Sequence, residues 1–149
     1  MGKPRYNWWG FALNAIRDYP EYRRRLQELQ QQTMVANNNG MPRAGGASRP
    51  TESVALRQLP AQEQREHDAV RAALARTARM NNGKIRQEIV KLTMWQGYTI
   101  EGAAMIVYVA PSTARRYRWQ FVLLVGRTYG FMTEEEYQAA IKRDAIGAK

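Results

Sequence analysis

Cysteine is absent from the 149 residues, and histidine occurs once. The first absence excludes a disulfide framework and thiolate metal sites and fits a reducing cytoplasm. The second leaves His67 with no companion at metal-ligand spacing, and Asp68 beside it makes no Ser/His/Asp arrangement, so a surface position is expected for it. No apolar run approaches the ~20 residues a membrane span needs; the longest, Phe121–Val125, makes under two helical turns. Lys3 and Arg5 are followed by no long apolar stretch, so no signal peptide is expected. Strand-like alternation of useful length and internal repeats are also missing. No pair of carboxylates shares an apolar face, and nothing else supplies a nucleophile. An enzyme, a cofactor and a metal are therefore not expected.

Acids are scarce as well: 13 against 23 Lys and Arg, a net charge of +10. Such a balance points first to nucleic acid and second to an anionic membrane. The excess runs through most of the chain, but residues 133–149 carry four acids against three bases.

What is present is helical periodicity. In residues 7–19, Trp9, Ala12, Leu13 and Ile16 form one face, flanked by Trp8 and Tyr19. Pro20 opens a second helix to about Thr33, striped by Tyr22, Leu26 and Leu29, and the two are expected to form an antiparallel hairpin over residues 1–34. Trp8 and Trp9 read as its apolar anchors, or as anchors for a protein partner if exposed. Residues 35–50, rich in Asn, Gly and Pro, read as a flexible linker. Residues 51–149 read as a helical domain: a short helix from Thr51 to Leu59, a long one from Ala61 to Met80, and one from Lys84 to Trp95. A last helix opens with Thr133 and Glu136 as a capping box. The fold class is all-α.

The stretch 99–130, TIEGAAMIVYVAPSTARRYRWQFVLLVGRTYG, has the spacing of a helix-turn-helix. Thr99 is a good N-cap, Pro111 suits the first position of the second helix, and Gly130 a C-terminal cap. Ala104, Val109 and Ala114 fall where two helices must cross closely. Two positions depart from the usual pattern. Tyr108 stands where the turn commonly carries glycine, and a left-handed backbone there strains a tyrosine. Ala110 stands where serine or threonine usually caps, a loss of about 1 kcal/mol. Ser112, Thr113, Arg115, Arg116 and Arg118 occupy the first turns of the second helix, those that enter a major groove. Arg115 and Arg116 suit bidentate contact with guanine, and the two hydroxyls suit phosphates. Arg118 and Arg127 suit neutralisation of the DNA backbone. Trp119 reads as a contact to sugar or as packing against the last helix, while Tyr117, Phe121 and Leu124 read as the inward stripe.

The opening NWW with IRDYP, GGASRPTE followed by ALRQL, and TIEGAA with STARRY resemble, in order and spacing, the RinA-type phage regulators. These activate late, packaging-gene transcription in phages of Gram-positive bacteria. The likeness runs from about Trp8 to Phe131. It implies a C-terminal part like the promoter-reading region 4 of sigma factors, double-stranded DNA binding by 99–130 in the cytoplasm of a bacterial host, and contact with RNA polymerase. No membrane partner is expected. A monomer or homodimer fits regulation, whereas a ring fits a small terminase subunit for DNA packaging. An RNA-binding antitermination factor is the other alternative, since arginine-rich helices serve RNA too.

Overall fold

The computed structural model describes residues 6–38 and 59–147, with side chains over 6–32 and 59–144. Among these residues there are six α-helices and no strand: α1 (Trp9–Asn38), α2 (Ala61–Ala78), α3 (Gly83–Val90), α4 (Ile100–Val107), α5 (Pro111–Tyr129) and α6 (Glu134–Gly147). A π-helical turn, Lys91–Trp95, extends α3. None of the helices is long and apolar enough to cross a membrane. The expected short helix over 51–58 and the linker beyond Asn38 lie outside the described residues.

The expected N-terminal hairpin is not formed. Its two halves are one helix of 30 residues with Pro20 inside it. A proline there cannot donate to the carbonyl four residues back, which leaves the Ile16 oxygen without its helical partner. The oxygen is instead taken by the indole N–H of Trp95, at 2.6 Å. Trp95 reaches it from the π-helical turn, in which the Thr93 hydroxyl also donates to the Ile89 carbonyl at 2.7 Å. An external donor thus replaces the bond the proline lacks, and the helix runs on.

α1 is accordingly part of the main core. Ala12, Ala15, Ile16 and Tyr19 bury against Val70 and Ala73 of α2, Val90 of α3, and Phe121 to Val125 of α5. Polar stitches add to this contact: the Tyr22 hydroxyl donates to Glu66 at 2.7 Å, and Arg25 pairs with Glu63. Burial, then the bond to Glu66, pushes the Tyr22 hydroxyl pKa upward. His67 departs from expectation too: it is 4% exposed, stacked on Tyr19 with centroids 5.2 Å apart, and bonded to Asp68 at 3.0 Å. Tyr19 stacks in turn on Trp95 at 5.7 Å, so the histidine completes an aromatic layer beside the proline.

Trp8 and Trp9 are likewise absorbed. The Trp8 ring lies so close over Gly126 of α5 that a Cβ there would stand 2.3 Å from it, and it stacks on Phe131 at 5.5 Å. Trp9 meets Trp119 at 6.1 Å. They are anchors, as read from the sequence, but against α5 and not within a hairpin.

Replacing Trp95 with Phe keeps a ring but orphans the Ile16 carbonyl, at an expected cost of about 1–3 kcal/mol. Pro20→Ala restores a backbone donor, so the same Trp95→Phe change made in that background is expected to cost about 1 kcal/mol less. A urea-denaturation double-mutant cycle reads the coupling; strictly additive effects would show that the indole does not replace the missing bond.

Candidate nucleic-acid interface

The segment 99–130 forms the elements its spacing predicts. Thr99 caps α4, its hydroxyl accepting from the Gly102 amide at 3.0 Å. α4 ends at Tyr108, which adopts φ 61 and ψ 50. The Val109 amide then donates back to the Ala104 carbonyl at 3.0 Å, closing the helix C-terminus around this left-handed residue. The strain foreseen for tyrosine is therefore present, and its ring is 93% exposed. Ala110 offers no side-chain cap, and Pro111 occupies the first turn of α5. At the far end, Gly130 adopts φ 112, and the Phe131 amide donates to the Gly126 carbonyl at 2.8 Å.

Small residues let the two helices approach. Ala103, Ala104 and Ala114 are buried with Ile89 and Leu92, and Val107, Val109 and Tyr117 pack around them. A second set of contacts ties α5 to the start of α3. Arg86 donates to Gln120 Oε1 at 2.8 Å and lies over the Tyr117 ring at 4.3 Å, while Asn82 donates to the Tyr117 hydroxyl at 3.2 Å. The N-terminal half of α5 is thus fixed on two sides.

Ser112, Arg115, Arg116 and Trp119 share one stripe at the i, i+3, i+4, i+7 spacing of a helix face, open to solvent at Ser112 and Arg115 and partly covered at Arg116 and Trp119. The structure separates the residues singled out from the sequence. Ser112 is exposed and Thr113 partly buried. Arg115 is 61% exposed and meets Glu101 at 3.5 Å, with both groups in solvent; such pairs are worth roughly 0–1 kcal/mol and release easily. Arg116 is held by Asp144 of α6 at 3.4 Å, and Gln120 donates to the same carboxylate at 3.3 Å. Arg118 turns away from the stripe toward α1 and is partly buried. Trp119 is partly buried, with its ring against Trp9 and on the core cluster that includes Tyr137 and Ala140 of α6.

Arg127 lies apart from this group. It is twelve residues beyond Arg115, about 18 Å along the helix. Its Nε donates to Glu134 at 3.0 Å, and Arg76 grips the same carboxylate through two bonds of 2.7 and 2.9 Å. These bonds, with one from Gln138, hold the Glu134 carboxyl down at about 2, and Arg76 is raised in return. The three acids opening α6 also carry the expected capping box: Glu136 accepts from the Thr133 amide at 2.8 Å, and Thr133 from the Glu136 amide at 3.1 Å.

No family model matches the chain, and neither a curated protein nor a solved structure is significantly similar to it.

Because the Glu134 carboxyl sits below its ordinary value of 4.5 when folded, its contribution is full above pH 4.5 and fades as pH falls toward 2. Glu134→Gln is expected to lower the denaturation midpoint at pH 7, with the gap to the parent closing between pH 4.5 and about 2. A gap that stays constant with pH would show that the two arginines do not depend on the carboxylate charge.

Proposed function

We propose that this chain is a sequence-specific DNA-binding activator of phage late genes, of the RinA-type kind its motifs resemble. In this reading 99–130 is a helix-turn-helix, and the first turns of α5 enter the major groove of a promoter. The observation that supports it most is Arg115: an arginine in open solvent, on the outward stripe of a helix that two neighbouring helices hold rigid. Rigid support matters because base reading needs the guanidinium fork placed to a fraction of an ångström. Ser112, on the same stripe one turn earlier, is placed for a phosphate. Arg116 reaches the groove only by leaving Asp144, so its contribution is smaller. Arg127, bound by Glu134 and distant from Arg115, serves the fold and not the duplex. The net charge of +10 supplies the long-range attraction. Contact with RNA polymerase is a further part of the reading and follows from the sigma-like character of the motif.

Selection of bound fragments from the source genome is expected to return a cluster upstream of packaging genes. On that duplex, log affinity is expected to fall against log salt with a slope of about −0.9 for each phosphate neutralised. Arg115→Ala is expected to erase base preference, at about 1–3 kcal/mol, with unchanged melting temperature. Arg127→Ala is expected to do the reverse, lowering stability while leaving preference intact. A slope near zero in fluorescence anisotropy would remove the DNA reading.

A further inference from the structure

A cavity of about 530 Å³ opens where α1 begins and α5 ends, a size within the span of ordinary ligand sites. Its floor is aromatic. Tyr6 and Trp8 line it with ring centroids 5.0 Å apart, and the exposed Phe131 joins them, stacked on Trp8 at 5.5 Å. Its rim is the outer flank of α6, where Glu136, Ala139 and Arg143 follow at i, i+3 and i+7 with Lys142 beside them. All four rim residues are exposed. Glu136 is engaged in the capping box with Thr133. Lys142 and Arg143 meet no carboxylate among the described residues. An aromatic floor open to solvent under two uncompensated cations marks an interaction surface.

We propose that this cavity docks an acidic segment of a partner protein: one large apolar side chain enters it, and flanking Asp or Glu residues meet Lys142 and Arg143. The rings select the anchor, and the charge on the rim selects the acids. Ring stacking favours a side chain over a nucleotide base. Phe131 already stacks on Trp8 and, at 5.0 Å, on Tyr129, so its faces are engaged within the protein. The site does not rest on the DNA reading. It lies roughly 20 Å along α5 from Arg115, so a duplex on the first turns of that helix leaves it open.

The test selects peptides from a random-sequence library on the full chain and measures their affinity by calorimetry. Selected peptides are expected to carry an aromatic residue or a leucine flanked by Asp or Glu. Replacing that anchor with Ala is expected to weaken binding about tenfold. Ala139→Phe, which fills the cavity from an exposed position, is expected to abolish binding. Lys142→Glu with Arg143→Glu is expected to weaken it about tenfold at an unchanged melting temperature. Arg115→Ala is expected to leave peptide affinity intact, whatever it does to DNA. The proposal is overturned if no acidic peptide is enriched, or if Ala139→Phe binds the peptides as the parent does. It is overturned equally if Ala139→Phe instead lowers affinity for a single-stranded oligonucleotide or turns a dimeric parent into a monomer. Those results would assign the cavity to a nucleic acid or to a second copy of the chain.

Discussion

One hydrogen bond determines how the chain is assembled. Proline in the interior of a helix removes a donor and crowds the preceding turn, which usually breaks or kinks the helix. Here the Trp95 indole supplies the donor from another element, and α1 passes through Pro20 unbroken. The bond also ties α1 to the turn that extends α3, since Ile16 and Trp95 are 79 residues apart. Had the helix folded back at Pro20, Tyr22 and Arg25 would not reach Glu66 and Glu63, and α2 would lose its partner along that flank.

α5 is the strut on which the other elements meet. From Gln120 to Gly126 it is buried all round, and its closest neighbours there are the apolar residues of α1, α2 and α6. Its first turns are buried only on the side of Ala114. The change from polar to apolar along one continuous helix is what allows a single element to serve as core at one end and as surface at the other. The charged residues follow the same division. Glu134 draws in Arg76 and Arg127 at the buried end, whereas Glu101 holds Arg115 only loosely at the open one.

Helix positions and caps were legible in the sequence wherever the cause is local. Thr99, Pro111, Gly130 and the Thr133–Glu136 box each satisfy or spare backbone groups within a few residues, and their chemistry can be read from spacing alone. The left-handed turn at Tyr108 was legible for the same reason, down to its strain. What could not be read depends on partners distant in the chain. Pro20 opens a helix by local rules, and only a tryptophan far along the sequence reverses that outcome. His67 looks like a surface residue among Glu66 and Asp68, yet the ring of Tyr19 covers it. Among the candidate site residues, residue type gave the arginines but not their engagement. Arg115, Arg116, Arg118 and Arg127 are alike in the sequence, and only packing of α1, α4 and α6 decides which of them is open to solvent.

The seating of Trp8 on Gly126 has a mechanical consequence. An indole pressed onto bare backbone leaves no slack for one helix to slide past the other, because any neighbouring residue brought under the ring would carry a side chain into it. α1 and α5 are thereby keyed in axial register and can respond to force only as one lever. The aromatic cluster of Trp8, Trp9 and Phe131 sits at this joint, so a shift of one helix against the other would have to separate stacked rings.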